Sequence, residues 1–307
     1  MHMADPRILR IYLEPDELKR ARDGKYNLMN RIKTAFEWQG FRVDFMRDSV
    51  DQRLKSATRR GYSLFFMQDP FHARALNIRR AYYFPFWRIE NTAERWEFDV
   101  AKKHFDPGEI DTDIAQKWAG NWRRWLFKNK AANPVREGIV YVPLQGKLLE
   151  RRSFQQASPL EMIDAVLQHD QKRAILVGLH PGEVYSDQEM TALEEKIAET
   201  PRLTLQKGGM EEALRVCDYV VTQNSSVALS GFFFHKPAIL FAKIDFHHIG
   251  IGVEDMGVKE ALERVISHQP DFDKYLYWFI QLNSIKADND EAGDAILDAV
   301  RGHGWRV

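Results

Sequence analysis

The sequence predicts an α/β protein made of two successive units, each an alternation of strands and helices, followed by a helical tail. Three observations predict this class. The chain has 307 residues, the length of roughly two domains of about 150 residues each. Short apolar runs alternate with amphipathic segments along most of the chain, as expected when helices connect parallel strands. Between the two series lies Ala131-Ala132-Asn133-Pro134, which has the composition of a linker.

The first unit is predicted to cover residues 3–133. Its predicted strands are Ile8–Leu13, 41–46 and 62–67, and the run 79–89 is β-like in composition. Pro85 lies inside that run and cannot donate to a strand ladder, so an edge strand or a bulge is expected there. The predicted helices of this unit are 26–38, which ends at Gly40, and 112–130.

The second unit is predicted to cover residues 134–270, and residues 271–307 form the tail, which is expected to pack back on the first unit. The predicted strands are 138–143, Ala174–Leu179, Leu203–Gln206, 218–222 and 238–242. The predicted helices are Pro159–His169, 188–200, Met210–Val216, 227–234, 260–267, 275–286 and 291–301.

Composition narrows the function classes. Lys+Arg and Asp+Glu balance at 44 each, so no overall field favours nucleic acid as a partner. The single cysteine, Cys217, excludes an internal disulfide framework and a cysteine-rich zinc site. A chain with one cysteine is expected in a reducing, cytoplasmic compartment. No apolar run reaches the roughly 18 residues of a membrane span, and the N-terminus does not have the pattern of a secretory signal. The pairs Asp111/Asp113 and Asp288/Asp290 fit helix starts better than a metal site, so neither a metal nor a cofactor is expected.

Two motifs follow predicted strands of the second unit. His180-Pro181 comes directly after the strand Ala174–Leu179, and Asn224-Ser225-Ser226 follows the strand 218–222 and opens a helix. Ligands of open α/β sheets bind outside the carboxyl ends of the strands, and a helix start with hydroxyl groups suits a phosphate. Each motif alone is explained as well by a turn or by a helix cap. Their occurrence at two strand ends of one sheet favours an anion site.

The order of motifs in this unit resembles that of bacterial capsular polysaccharide glycosyltransferases, in particular the Kdo transferases of capsule and lipopolysaccharide assembly. The residues that carry the resemblance are Val142-Pro143-Leu144-Gln145, LVGLHP ending at Pro181, VVTQNSS ending at Ser226, and His235-Lys236-Pro237. The His-Pro and Ser-Ser pair also looks like that of bacterial sialyltransferases of the GT-B type, which likewise use CMP-activated sugars. The resemblance covers residues 138–245 well, whereas the first unit matches only in general outline.

The resemblance implies a GT-B fold, with two Rossmann-like domains, a cleft between them and a C-terminal helical tail. It implies metal-independent transfer from a nucleotide sugar, with residues 3–133 on the acceptor side and residues 134–270 on the donor side. The donor would be CMP-linked, and Kdo or a related acid sugar would be transferred to a glycan or glycolipid in surface polysaccharide biosynthesis. The donor-site residues implied are His180, Pro181, Asn224, Ser225, Ser226, Gln145 and Lys236.

Two positions depart from the pattern of these transferases. A basic residue often stands shortly before His-Pro in them, where this chain has Gly178, and an acidic residue often follows Ser-Ser, where it has Ser230. These departures leave open a different donor or a weaker activity. The alternatives are a UDP-sugar-dependent GT-B transferase or epimerase and a non-catalytic nucleotide-sugar-binding subunit of a polysaccharide assembly complex.

Glycosyl transfer also needs a carboxylate that acts as a general base or as a nucleophile. Glu90 is the first candidate, because it follows an aromatic run against which a sugar face could stack. Asp69 and Glu14 also follow predicted strands and are the second and third candidates.

The predicted helix 112–130 combines tryptophan with positive charge. Trp118, Trp122 and Trp125 share one face, and Lys and Arg dominate the rest. The favoured interpretation packs the tryptophan face onto the sheet and leaves the cations in water. The alternative is a contact of residues 114–130 with anionic lipid, as in a protein held peripherally on the inner face of the cytoplasmic membrane or a membrane scaffold of an assembly complex.

Overall fold

A computed structural model of the chain describes residues 7–307, apart from the side chain of residue 129. The predicted start of the first unit at residue 3 lies outside the described residues. Contacts group the chain into two compact units: the described residues up to Lys103 with Phe279–Val307, and His104–Trp278. The sequence had divided the chain at 133 and 270 instead. The segment 104–133 groups with the second unit because its helix packs there, with Phe127 4.9 Å from Phe234 between ring centres.

Strands are named in chain order. They are β1 Ile8–Leu13, β2 Arg42–Arg47, β3 Tyr62–Phe66, β4 Ala75–Arg80, β5 Phe86–Glu90, β6 Ile139–Leu144, β7 Ala174–Leu179, β8 Leu203–Gln206, β9 Tyr219–Thr222, β10 Ala238–Leu240, β11 Ile251–Gly252 and β12 Ile285–Lys286.

Helices are named in the same way. They are α1 Pro15–Arg22, α2 Asn27–Trp38, α3 Val50–Ser56, α4 Asp99–Lys102, α5 Thr112–Phe127, α6 Pro159–His169, α7 Asp187–Glu199, α8 Met210–Val216, α9 Ser226–Phe233, α10 Val253–Met256, α11 Val258–Val265, α12 Phe272–Leu276 and α13 Ala292–Gly302.

The first unit has a six-stranded sheet of order β12-β5-β4-β3-β1-β2. Strands β1 to β4 are parallel, whereas β5 is antiparallel to β4 and β12 is antiparallel to β5. The prediction of one β-like run over 79–89 was wrong. A turn splits the run into the end of β4 and most of β5. In this turn the Ala81 N–H donates to the Phe86 carbonyl at 2.9 Å, and the Phe86 N–H donates to the Tyr83 carbonyl at 2.9 Å. Pro85 belongs to this turn.

The core of the first unit lies between this sheet and helices α2 and α13. Ile32 and Phe36 of α2 and Ile296 and Val300 of α13 are fully buried in it. Beyond α13, Trp305 stacks on Tyr62 of β3, with ring centres 4.3 Å apart. The end of the chain therefore completes the core of the unit that the beginning of the chain forms.

The second unit has a fully parallel sheet of order β11-β10-β9-β6-β7-β8. The chain enters at β6 in the middle, moves out to β8, and returns on the other side through β9 to β11. This is the order of a doubly wound sheet, in which the direction of winding reverses between β6 and β9. Strand residues such as Val140, Val177 and Val221 have no exposed surface, as expected where helices cover both faces.

A polar network joins the amino ends of three strands in the second unit. Asp170 accepts hydrogen bonds from the Tyr219 hydroxyl at 2.7 Å and from Arg173 Nη1 at 2.9 Å. The Nε of Arg173 donates to Asp218 at 2.6 Å, and Asp218 accepts the Gly138 N–H at 2.9 Å. All of these side chains are largely buried, so the network fixes β6, β7 and β9 at the edge opposite their carboxyl ends.

The predicted class, two α/β domains with a helical C-terminal segment, is confirmed. The prediction of a single helix over 275–286 was wrong, because helix α12 ends at Leu276, the π-helical turn Tyr277–Leu282 follows, and the chain then forms β12. No helix in the described part of the chain is both long enough and apolar enough to span a membrane.

Candidate functional site

Three of the predicted donor-site segments come together at the carboxyl edge of the second sheet. Gln145 follows β6, His180 follows β7, and Asn224 follows β9 by two residues. Leu144 pairs in register with Leu179, and the Thr222 hydroxyl donates to the Pro143 carbonyl at 3.2 Å, so the three strands end at the same level. The strands that lead to His180 and Asn224 are not adjacent in the sheet, because β6 lies between them. Gln145 therefore occupies the middle of this edge, at the point where the winding reverses.

The turn after β7 fixes one nitrogen of His180. The His180 N–H donates to the Tyr185 hydroxyl at 2.9 Å, and the Gly182 N–H donates to His180 Nδ1 at 3.1 Å. An Nδ1 that accepts a hydrogen bond places the proton of the neutral ring on Nε2. A Cβ at Gly182 would lie 3.2 Å from His180 Cε1, so the backbone passes close to the ring. His180 and Pro181 are exposed, and the ring can offer its Nε2–H to a ligand.

The Asn-Ser-Ser segment caps helix α9 and leaves hydroxyl donors at its start. Ser225 is 4% exposed and is the N-cap, and its Oγ accepts the Val227 N–H at 3.3 Å. The Ser225 hydroxyl proton stays available as a donor, because the cap uses only an acceptor position. Ser226 is exposed in the first turn, and Asn224 Nδ2 donates to the Lys243 carbonyl at 3.4 Å. A helix start of this kind favours a bound anion.

The loops after β6 and β7 are packed against each other. A Cβ on Gly146 would lie 2.5 Å from Glu183 Oε2, so the carboxylate of Glu183 would have to move if position 146 carried a side chain. The Leu148 N–H donates to Glu189 Oε1 at 2.5 Å. The pKa of Glu189 lies below its usual value, chiefly because the carboxylate accepts a hydrogen bond from the Ser186 backbone. Next to this contact, Gln145 Oε1 is buried without a hydrogen-bond partner among the described residues. Such an acceptor is suited to a donor group of a ligand.

The structure gives a physical reason for the departure at Gly178. A Cβ at this position would lie 2.7 Å from the Tyr141 hydroxyl oxygen on the adjacent strand β6. Burial raises the pKa of Tyr141 to about 12, so the hydroxyl stays neutral. A basic side chain at position 178 is incompatible with this tyrosine. The other departure, Ser230, is buried within α9, where it is 7% exposed.

Lys236 is not brought to this edge. Helix α9 runs from the carboxyl edge back to the amino edge of the sheet, and Lys236 lies after it and before β10. The side chain is 2% exposed, and its Nζ donates to the Val135 carbonyl. Burial lowers the pKa of Lys236. Its contact is with the segment that enters the second sheet, away from His180 and Ser225.

The three candidate carboxylates lie at two different edges of the first sheet. Glu14 follows β1 and Asp69 follows β3, so both stand at the carboxyl edge of the parallel strands. Glu14 is exposed and makes no side-chain cap to α1, while Asp69 Oδ1 accepts the Ala93 N–H at 3.0 Å. Glu90 lies at the other edge because β5 runs antiparallel and pairs Glu90 with Asn77. Sequence reasoning missed this reversal because it treated β5 as part of one long run.

Glu90 lines a cavity of about 380 Å³ in the first unit. Its Oε2 accepts the Asp99 N–H at 3.0 Å, and His303 Nε2 lies 3.0 Å from the Ile89 carbonyl and 3.7 Å from Asp99 Oδ2. Ligand atoms of Glu90, Asp99 and His303 lie within 4.8 Å of one another, a set that could hold a cation. No sequence motif indicates this grouping, since His303 is more than 200 residues away from Glu90 along the chain. The same contacts cap α4 and satisfy the edge of β5, which accounts for the cluster without a ligand.

Comparison with known proteins identifies the fold. No protein-family model matches the sequence, and a search of curated proteins found no match. Among solved structures, the chain is similar to the β-Kdo 2,7-transferase of Thermosulfurimonas dismutans KpsC, with a TM-score of 0.53 at 12% identity over 94% of this chain and 98% of that one. The β-Kdo 2,4-transferase of the same protein gives 0.47 at 11% identity, over 90% of both chains. The lipopolysaccharide glycosyltransferase WaaG gives 0.39 at 10% identity, over 96% of this chain and all of that one.

The first of these likenesses extends over nearly the whole of both chains, and it shows a shared two-domain α/β fold. The chain therefore has the GT-B class of fold, as predicted. At 12% identity the likeness concerns the fold, and the site residues described above stand on their own geometry.

Proposed function

We propose that this chain is a glycosyltransferase that binds a nucleotide sugar at the carboxyl edge of its second sheet. The observation that carries the proposal is the alignment of Gln145, His180 and Asn224-Ser225-Ser226 at the edge where the winding of the sheet reverses. In doubly wound sheets this is the position of bound nucleotides. The fold shared with a Kdo transferase supports a sugar-transfer reaction.

The donor phosphate is proposed to lie at the start of α9. Its oxygens would accept hydrogen bonds from the Ser225 and Ser226 hydroxyls and from the first-turn N–H groups of the helix. His180 would donate from Nε2. These neutral donors and the helix dipole can stabilise the charge of a single phosphate, so we propose that transfer needs no metal and no other cofactor. A CMP-linked sugar, such as Kdo or a related acid sugar, carries a single phosphate and is the donor we favour.

Transfer requires a base for the acceptor hydroxyl. The hydroxyl oxygen forms a bond to the anomeric carbon, the bond from that carbon to the phosphate oxygen breaks with its electron pair, and the proton passes to a carboxylate. Of the candidates, Glu14 and Asp69 are supported by their place at the carboxyl edge of parallel strands. Glu14 is supported further because its side chain is exposed and makes no capping hydrogen bond to α1. The acceptor is proposed to be a surface glycan or glycolipid, in an enzyme that works on the cytoplasmic side of a membrane.

A non-catalytic nucleotide-sugar-binding subunit is the second candidate. It is favoured by the position of Glu90, the carboxylate that sequence reasoning preferred, which is buried at the opposite edge of its sheet. A UDP-linked donor is the alternative for an active enzyme. A non-catalytic subunit would bind nucleotide sugar without transferring it, so an assay of both binding and transfer distinguishes it from an active transferase.

The test is a thermal-shift and calorimetric titration with CMP, CMP-sugars, UDP and UDP-sugars. CMP compounds are expected to stabilise the protein, and His180→Ala and Ser226→Ala are expected to weaken that effect at least about tenfold, because each removes a hydrogen bond to a charged group. The matched controls are His169→Ala and Ser267→Ala, which change exposed residues of the second unit away from this edge. Binding to none of the nucleotides, or equal effects in the test and control variants, would remove the donor-site assignment.

A further inference from the structure

Helix α5 carries an apolar stripe whose two ends are exposed, although its middle is half-buried. Its buried side consists of small and aromatic residues, Ala115, Ala119 and Phe127. The expectation that the tryptophan face is packed against the protein is met in part for Trp118 and Trp122, which are half-buried, but not for Trp125. Trp125 is 62% exposed and Ile114 is 53% exposed, although large apolar side chains of this kind are normally covered.

The exposed apolar residues form one continuous line. Ile114, Trp118, Trp122 and Trp125 follow one another at spacings of four, four and three, so they lie on the same side of the helix. The rings of Trp122 and Trp125 meet edge to face at 5.1 Å, and Trp118 contacts Tyr277 at 5.7 Å. Trp118 and Trp122, in the middle of the line, are half-buried, whereas Ile114 and Trp125, at its two ends, are exposed. We call these four residues the tryptophan stripe.

A line of positive charge runs beside the tryptophan stripe. Lys117 and Arg124 are both exposed and are separated by seven residues, so they share the neighbouring face, and the exposed Lys128 follows the end of the helix as its C-cap. No ion pair involves any of the three within residues 7–307. Arg123, by contrast, points to the buried side, where it binds Asp273 at 2.8 Å and so anchors α5 to α12.

We propose that this face of α5 docks on a bilayer that contains anionic phospholipid. An interfacial helix needs an apolar stripe that enters the boundary between headgroups and acyl chains, with cations beside it at the level of the phosphates. Tryptophan is the side chain most at home at that depth, because its ring is apolar and its N–H is polar. The three cations select an anionic surface over a neutral one, since each strengthens binding by roughly fivefold at such a surface.

The rigid attachment of α5 supports docking as a preformed face. The pKa of Asp273 is held below its usual value because hydrogen bonds from His235 and Arg123 outweigh the effect of burial, so the carboxylate keeps its charge and its bond to Arg123. The Arg123 Nε also donates to the Phe233 carbonyl at 2.5 Å. The helix therefore does not have to leave the domain in order to present the tryptophan stripe.

The experiment is co-sedimentation of the full chain with vesicles of phosphatidylcholine alone and with vesicles rich in phosphatidylglycerol. Binding is expected only to the second kind and is expected to fall as salt is raised. Ile114→Ser/Trp125→Ser and Lys117→Glu/Lys128→Glu are each expected to weaken binding at least about tenfold. The matched controls are Trp38→Ser, which changes a side chain that is 85% exposed in the first unit, and Lys172→Glu/Lys259→Glu, which reverses two exposed charges elsewhere in the second unit.

No sedimentation with either vesicle, or equal losses in the α5 and control variants, would overturn the proposal. A concentration-dependent dimer in solution that Ile114→Ser/Trp125→Ser abolishes would also overturn it, since the face would then be an interface between two copies. Because these measurements contain no nucleotide, they succeed or fail independently of the donor-site titration. Circular dichroism of each variant confirms that α5 remains folded, as expected for changes at exposed positions.

Discussion

The Tyr185 hydroxyl accepts the backbone N–H of His180 at 2.9 Å, and this bond closes the turn that follows β7. The hydroxyl belongs to a residue that no sequence motif had indicated. Burial raises the pKa of Tyr185, so the group stays neutral and can act in this way throughout the physiological range. The bond fixes the backbone from which the imidazole projects, and Tyr185 is thus a positioning residue in the proposed donor site.

Tyr185→Phe is therefore expected to weaken CMP affinity by about three- to tenfold, the effect of one hydrogen bond of about 1 kcal/mol. Stability should change little, because the turn is exposed. Calorimetry measures the affinity, and the same substitution in a His180→Ala background provides the control. If Tyr185 acts through His180, the second substitution adds nothing there. Independent, additive losses in the double variant would contradict a positioning role.

Gly178→Ala is expected to destabilise the second unit by about 1–3 kcal/mol, since the added methyl group would meet the Tyr141 hydroxyl in a packed sheet. Tyr141→Phe in the same chain removes the nearest atom and should restore part of the loss. Denaturant unfolding measures both. Gly120→Ala is the matched control, because open space surrounds its added methyl group on a helix, and it should be neutral or slightly stabilising. Equal stability of the Gly178 and Gly120 variants would show that position 178 tolerates a side chain.

Much of the second unit could be predicted from the sequence because its signals are local. Helices α6 and α8 and strands β7 and β8 have the predicted bounds, since apolar runs and caps within each segment determine them. The segments ending at Leu179 and Thr222 were identified for the same reason, and their strand ends were correct, whereas β6 continues to Leu144, one residue beyond its predicted end. Strand order was not readable, because the insertion of β6 between β7 and β9 depends on crossovers rather than on any one run.

The features that could not be predicted, in both units, are chain reversals and long-range contacts. The direction of β5 depends on the turn at residues 81–85, and with it the edge at which Glu90 lies. Lys236 was assigned from its place in a motif, although sequence order does not reveal that α9 carries the chain back to the amino edge. Likewise, Trp125 and Phe127 are both aromatic, and only packing decides which of them is buried.

Acidification is expected to weaken the network at Asp170. Burial raises the pKa of this carboxyl, but hydrogen bonds from Tyr219, from two backbone N–H groups and from Arg173 outweigh it, so the pKa lies below its usual value. A carboxyl with a lower pKa in the folded state contributes stability above its unfolded pKa of about 3.9 and loses it as the pH falls through the folded value.

The corresponding variant is Asp170→Asn, which leaves Arg173 with one carboxylate instead of two. A loss of about 3 kcal/mol at neutral pH is expected, as for a broken buried ion pair. Urea unfolding from pH 7 to pH 3 should show the gap between wild type and variant closing below about pH 4. Asp164→Asn, an exposed partner of Lys196, is the control and should cost less than about 1 kcal/mol. A gap that is independent of pH would show that the charge of Asp170 is not what stabilises the fold.

Because Glu14 and Glu90 lie at opposite edges of the first sheet, their substitution is expected to have opposite effects on transfer and on stability. Glu14→Gln is expected to retain CMP binding and the wild-type unfolding midpoint but to lower transfer by at least about a hundredfold, the usual effect of removing a general base. Glu90→Gln should instead lower stability by about 1–2 kcal/mol, because it weakens the charged cap on the Asp99 N–H, and should leave transfer close to wild type. Release of CMP from a CMP-sugar in the presence of acceptor measures transfer.

Glu17→Gln, in the first turn of α1, controls for the loss of negative charge near Glu14. Loss of transfer in Glu90→Gln with an intact fold would move the reacting carboxylate to the other edge, while full activity in both Glu14→Gln and Asp69→Asn would exclude the carboxyl edge of this sheet as its source.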